Sequence, residues 1–289
     1  MAKHGPFYTL AELKKRQSIS TVVFWKYRPV DGRAFEELAE AGITQIELLE
    51  TTDQFDMTNR HSMQYIEGLA RSAGVRIVAY HSHETHFSDL DTEAKQRDRI
   101  DFCKRQIDTM VELGGRVWAT HARETDDTLL ACYQELARYV EGTGAVILIE
   151  NFKDPGLWVE DRVAFLDRIG HPQVGMILDI GHVRNGNGTN PMTIPGGPAR
   201  VVEMCRRHLL HLHLHGFKNG EDHFPPTCAG DTIQWRELFQ RLYEVGYPGL
   251  INFEPKGEPK HENAIKTTAG ALERIVAMAA EGPAGQRGA

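Results

Sequence analysis

Short runs rich in Val, Ile and Leu recur along this chain, and a longer amphipathic stretch with Glu, Arg and Ala at helical spacing follows each of them. Eight runs read as strands, over residues 21–26, 45–50, 76–81, 116–120, 145–150, 175–179, 209–215 and 250–254. Helices are expected between them at 32–41, 60–73, 93–113, 126–141, 158–169, 198–207 and 234–245. Gly42, Gly74, Gly114 and Gly246 each follow a helical stretch, as a left-handed C-terminal cap favours. Strands alternating with helices imply parallel pairing through crossovers. Eight such units in about 250 residues is the arithmetic of an α/β single-domain (β/α)8 TIM barrel. An open doubly wound sheet is the alternative, and the lack of a G-x-G-x-x-G after the first strand weakens its dinucleotide-binding form. A last helix is expected over 263–280 and a loose tail over 281–289, giving one domain, 1–289, with the barrel at about 18–280.

With 289 residues, 41% hydrophobic and 25% charged, the chain can bury a sizeable core without staples. Its 33 Lys and Arg against 40 Asp and Glu give a formal charge of -7, so no overall positive field draws phosphate backbones or anionic lipid. This argues against nucleic acid as a partner. Cys103, Cys132, Cys205 and Cys228 are scattered without a C-x-x-C pair, which suits reduced packing residues in a cytoplasm. No secretory leader or membrane-spanning run is read, so a cytoplasmic location is expected.

Histidine is the compositional outlier, with 14 copies. Four consecutive strands end on a potential metal ligand: AVILIE on Glu150, GMILD on Asp179, LLHLHLH with His213, and GLINFE on Glu254. One carboxylate at a strand end is ordinary; four in succession, on the face where barrel enzymes build their sites, read as a convergent ligand set. Three carboxylates and one imidazole suit one divalent ion, Mn²⁺ foremost, with Mg²⁺, Co²⁺ or Zn²⁺ as alternatives. Alternation along the seventh strand puts His211, His213 and His215 on one face and Leu210, Leu212 and Leu214 on the other. The leucines suit the helix layer, so the histidines point inward: His211 as a satisfied core residue, His213 as a ligand and His215 as a substrate contact. His81, His83, His121, His182 and His223 fall in the same mouth. Trp25, Trp118 and Trp158 lie near strand ends, where a ring can stack on a bound ligand or simply pack. Arg123 and Arg184 follow His121 and His182, where either can hold a substrate carboxylate or phosphate or stay solvated. The stretch 184–198, rich in Gly, Asn and Pro, reads as a lid or an oligomer contact.

These residues, IEN at Glu150, LDIGH with Asp179 and His182, HLH around His213, EDHFPP from Glu221 and FEP at Glu254, resemble the xylose isomerase-like barrel superfamily of sugar isomerases and epimerases. The resemblance runs over nearly the whole chain. It implies that Glu150, Asp179, His213 and Glu254 hold one divalent metal, that Glu150 and Glu254 act as acid and base, and that His182 binds substrate. It also implies a small sugar or hydroxy-ketone substrate and allows a homo-oligomer. The chain departs from the pattern at Gly216, where an aspartate often follows the ligand histidine, and at TCAGDTIQW, where a G-x-G is usual.

The expected chemistry is removal of a proton from carbon next to a metal-bound carbonyl, with the catalytic pair Glu150 and Glu254 on opposite sides of that carbon. Substrate contacts are expected from His182, His215, His81, His121, Arg184 and Trp25. Two rivals belong to other classes. One is a DNA-repair phosphodiesterase of the endonuclease IV kind, with added metals on His83, His121, His182, Glu221 and His223; the other is a noncatalytic sugar-binding barrel. Few Lys or Arg in the rim loops argue against the nuclease, since the loops after strands six and seven offer only Arg184 and Lys218.

Overall fold

The computed structural model describes residues 7–25, 28–50, 54–82, 90–258 and 260–280. Eight parallel strands form its sheet: β1 (Gln17–Ser20), β2 (Gln45–Leu49), β3 (Arg76–His81), β4 (Val117–Thr120), β5 (Val146–Glu150), β6 (Val174–Asp179), β7 (Leu209–His213) and β10 (Ile251–Phe253). They pair in the order β10-β1-β2-β3-β4-β5-β6-β7. A parallel bridge from Leu214 to Phe253 joins the two ends, so the sheet closes as a TIM barrel. Outside the ring run α1 (Leu10–Lys15), α2 (Gly32–Glu40), α3 (Arg60–Ser72), α4 (Glu93–Glu112), α5 (Asp127–Tyr139), α6 (Val159–Ile169), α7 (Gly197–Cys205), α8 (Trp235–Glu244), α9 (Ala264–Ala269) and α10 (Ala271–Ala280).

Local chemistry explains where the helices begin. Asp31, Asn59, Thr92 and Asp126 each accept a backbone N–H of the following turn, filling the donors a helix leaves open at its start. Gly42, Gly74, Gly114 and Gly246 all adopt positive φ after a helix end, as expected.

Strand alternation separates two cores. Outward residues such as Leu48, Tyr80, Ile149, Leu178, Leu212 and Phe253 pack with Phe35, Ile107, Leu136, Phe165, Phe239 and Leu272 from the helices. Inside the barrel, Ala119, Leu148 and Ile177 form a smaller apolar cluster. Each lies two residues before His121, Glu150 or Asp179, on the same inward face and one layer deeper. The polar residues above them are therefore held on a rigid floor.

Three expectations need correction, and one further element was not expected. The first strand is Gln17–Ser20 and not 21–26, because Thr21–Phe24 winds into a 3₁₀ turn whose start is capped by the Ser20 hydroxyl. Helix α1, capped reciprocally by Thr9 and Glu12, precedes that strand and had no sequence counterpart. The segment after β7 is not a plain loop; it forms an antiparallel hairpin, β8 (Gly216–Lys218) and β9 (Glu221–Phe224), over the mouth. The last helix is two, broken at Gly270, whose helix propensity is poor. Lys26, His83, His86 and the expected tail at 281–289 lie outside the described residues. No helix is long and apolar enough to cross a membrane among the described residues.

Candidate active site

The upper end of the barrel carries a buried cluster of carboxylates and imidazoles. Glu150 ends β5 and Asp179 ends β6, while His213 ends β7 and Glu254 follows β10; all four are nearly or wholly buried. His213 stands at the centre. Its Nδ1 lies 3.2 Å from Glu150 Oε2 and 3.3 Å from Glu254 Oε2, and its Nε2 lies 3.1 Å from Glu47 Oε1. One ligand atom from each of Glu150, Asp179, His213 and Glu254 falls within 4.8 Å of the others.

The remaining histidines surround this core. Glu150 Oε2 is 3.0 Å from His121 Nε2 and its Oε1 is 3.1 Å from His182 Nδ1. His81 stacks edge-on against His121, with Nε2 to Nε2 at 3.1 Å. Asp179 Oδ1 accepts the N–H groups of Gly181 and His182 at 2.8 and 2.9 Å and lies 3.0 Å from His215 Nε2. A tight turn is needed to bring both N–H groups to one oxygen. Gly181 is required there for a second reason: a Cβ at that position would overlap the His215 ring. His223, at φ 61° and buried, donates its backbone N–H to His215 Nδ1 at 2.9 Å. Such a conformation is costly for a non-glycine residue and marks a position that the surroundings hold in place.

Charge is distributed unequally. Burial raises the Glu150 carboxyl, but the His213 and His121 imidazoles outweigh it and hold the group well below the usual carboxylate range. Burial would lower His213, yet Glu254, Glu47 and Glu150 around it hold the imidazole well above its ordinary value. Glu254 goes the other way: burial, with Glu150, Glu47 and Asp179 nearby, pushes its carboxyl well up against the pull of His213. His223 is pushed down to about 3 by burial and by the neighbouring His215. A group of carboxylates in which one is pushed toward its protonated form by the others is a group short of positive charge.

Above the cluster opens a cavity of about 250 Å³. His81, His121, Glu150, His182 and Glu254 reach its surface, and Trp25 and Phe152 supply apolar walls. Asp179, His213 and His215 lie behind that surface, fully buried. Arg123, Lys153 and Lys256 line the rim; the Arg123 guanidinium lies 4.1 Å from the Phe152 ring centre.

Several residues expected in the mouth are placed elsewhere. Arg184 folds back to donate to the carbonyls of Gly181 and Val183 at 2.7 Å and is not on the cavity wall, so it braces the loop after β6. Trp118, on β4, is wholly buried and its indole donates to Gln106 of α4, while the Trp158 indole donates to Lys153 O. The 184–198 stretch packs down through buried Asn190 and Met192 and contributes nothing to the cavity lining. Glu221 is exposed on β9.

Two residues were missed. Glu47, in the middle of β2, is wholly buried under His213. Its signal was available, since a glutamate inside an apolar barrel strand is seldom buried without a partner. Asp222 lies 3.7 Å from His182 Nε2 and groups with His182 and His223. Only the hairpin turns it to the mouth, which its spacing from other acids does not reveal.

Residues 35–275 match the family described as xylose isomerase-like TIM barrel. The chain belongs to this family. Among its relatives, the uncharacterized protein MJ1311 of Methanocaldococcus jannaschii is 24% identical over 217 residues, 68% of this chain and 69% of that one. D-psicose 3-epimerase of Clostridium cellulolyticum H10, solved with D-tagatose, is 14% identical with a TM-score of 0.68, covering 91% of this chain and 98% of the epimerase. A xylose isomerase-like TIM barrel protein of Mycobacterium smegmatis, solved in complex with magnesium, is 14% identical with a TM-score of 0.70, covering 95% and 99%. At these identities the two structures share the fold of the family.

Proposed function

We propose that this member of the xylose isomerase-like family is a metal-dependent isomerase or epimerase of a small sugar or hydroxy-ketone. The observation that carries the proposal is the approach of Glu150 and Glu254 to His213 Nδ1, at 3.2 and 3.3 Å, with Asp179 in reach, at the floor of a small cavity. His213 Nδ1 is buried and makes no hydrogen bond, although two carboxylates lie beside it. An unmatched nitrogen among oxygens, in a cluster short of positive charge, is the donor set of a divalent cation site. Glu150, Asp179, His213 and Glu254 would hold the ion, Mn²⁺ foremost, with Mg²⁺, Co²⁺ or Zn²⁺ as alternatives. When bound, it supplies Lewis acidity toward the substrate's carbonyl and neighbouring hydroxyl oxygens.

The protein's own groups do the rest. One of Glu150 and Glu254 takes the proton from carbon beside the carbonyl, and the other returns one to the opposite face, inverting that centre. Return to the adjacent carbon instead makes the same site a ketol isomerase. His182 and His121, each bonded to Glu150, fix its carboxylate and face the cavity, where His81 also reaches substrate hydroxyls. Trp25 supplies an apolar face for the C–H side of a sugar.

The test is a panel of ketoses, hydroxypyruvate and inososes, each with Mn²⁺, Mg²⁺, Co²⁺ or Zn²⁺, followed by NMR for uptake of solvent deuterium. Phosphorylated ketoses belong in the panel because Arg123, Lys153 and Lys256 border the cavity. Metal bound with no exchange across the panel overturns the proposal and favours the noncatalytic barrel. A second reading has a specific observation behind it: His81–His121–Glu150 and His182–Asp222–His223 form further groups within metal-holding distance. Three ions per chain by elemental analysis would favour the multi-metal phosphodiesterase, and one ion the isomerase.

A further inference from the structure

The wholly buried Glu47 belongs to no step proposed above. It projects from the inward face of β2 toward the Nε2 of His213, whose Nδ1 faces Glu150 and Glu254, and it also lies within 4.8 Å of Glu254. Its Oε2 lies 2.9 Å from His211 Nε2 and 3.3 Å from His213 Nε2, and its Oε1 lies 3.1 Å from His213 Nε2 and 3.5 Å from His81 Nδ1. Asn252 Nδ2 donates to Oε1 at 3.4 Å, and Asn252 in turn accepts from the Ser18 hydroxyl at 2.8 Å. Groups from β3, β7 and β10 thus converge on one carboxylate from β2, and β1 braces Asn252 behind it. That convergence fixes its position in the barrel floor.

We propose that Glu47 is a positioning residue for the metal centre: it holds the Nε2–H of His213, so that the Nδ1 lone pair faces the space between Glu150 and Glu254. The proposal rests on the metal-dependent reading. A neutral imidazole has one N–H and one lone pair, and the bond made by the first decides where the second points. Here the choice is close, because carboxylates flank both ring nitrogens. Without Glu47, a proton on Nδ1 donating to Glu150 or Glu254 becomes the favoured tautomer, and that tautomer has no lone pair to offer a cation. Both Glu47 oxygens lie within reach of that N–H, at 3.1 and 3.3 Å from His213 Nε2. His211 takes part in the same arrangement one layer down, sharing Oε2 with His213.

The experiment measures Mn²⁺ binding by titration calorimetry on wild type, Glu47→Gln, His213→Gln and the double variant, at one pH, with metal-free melting curves beside it. An amide oxygen cannot serve His211 and His213 as two carboxylate oxygens do, so Glu47→Gln weakens Mn²⁺ binding by about 10–100-fold. In the His213→Gln background the same change adds less than about twofold, because its effect passes through that imidazole. Equal affinities of wild type and Glu47→Gln, or additive losses in the double variant, overturn the proposal while leaving the metal-dependent reading intact. A wild type that binds no divalent ion overturns both. Should Glu47→Gln fail to fold, ¹⁵N-histidine spectra of the wild type with Zn²⁺ as a diamagnetic probe decide the matter. His213 Nε2 must keep its proton while Nδ1 responds to the metal; a response at Nε2, or at His215 in place of His213, refutes it.

Discussion

Glu150→Gln is the sharpest test of the proposed chemistry, because the substitution keeps the shape of the side chain and removes only its charge and basicity. The carboxylate is hydrogen-bonded to His121 and His182 at 3.0 and 3.1 Å and lies 3.2 Å from His213 Nδ1, so an amide weakens two charge-assisted hydrogen bonds and one close ionic contact. Each such hydrogen bond is worth about 1.5–3 kcal/mol, but the change also relieves repulsion with Glu254 and Asp179. The net loss of stability is expected at about 1–3 kcal/mol, within what a barrel of this size survives. The loss of rate is larger. A positioned general acid or base contributes about 10²–10⁴-fold, or roughly 3–5 kcal/mol at about 1.4 kcal/mol per factor of ten. The assay is deuterium wash-in at the exchanging carbon by NMR, at saturating Mn²⁺ and substrate, so that weaker metal binding does not pass for lost chemistry. A melting curve on the same sample shows that the protein is folded. A wash-in rate within about threefold of wild type would remove Glu150 from proton transfer and leave it a ligand at most.

Divalent metal should stabilise the fold: Mn²⁺ at about 100 times its dissociation constant adds about 2.7 kcal/mol, seen as a rise of several degrees in melting temperature that EDTA reverses. No shift with any of the four ions would count against the ligand set. Mn²⁺ affinity should fall as pH is lowered. His213 and Glu254 are both shifted toward their protonated forms in the metal-free site, so the cation competes with protons there, at up to about tenfold per pH unit for each one displaced. Calorimetry from pH 8 to 6 checks the sign, and a flat profile would show that neither group is a ligand. Gly181→Ala should push the His215 ring off Asp179, because a Cβ has no room there; Mn²⁺ affinity should drop by about tenfold or more while the secondary structure seen by circular dichroism is kept.

How much of this was legible in the sequence depends on the distance over which each property is decided. Strand faces are set by a period of two, so the inward turn of His211, His213 and His215 could be read from HLHLH, and all three are buried in the barrel. The carboxylates at the ends of β5 and β6 follow from the same rule, because apolar runs stop where polar side chains meet the mouth. The start of β1 was misread for a local reason. The run TVVFW has strand composition, yet the Ser20 hydroxyl caps a 3₁₀ turn that composition alone does not show. Arg184 was misplaced because spacing puts a residue in a loop without saying which way it turns, and two nearby carbonyls were within its reach. Glu47 is the most instructive omission. It meets His213 across 166 positions of sequence, and only closure of the ring brings β2 and β7 to the same axis. A period-two pattern names the face on which a histidine lies, but the nitrogen that histidine presents is decided by its partner across the barrel. In a site where one ring nitrogen must bear a proton and the other must not, that partner is as much a part of the chemistry as the residues at the strand ends.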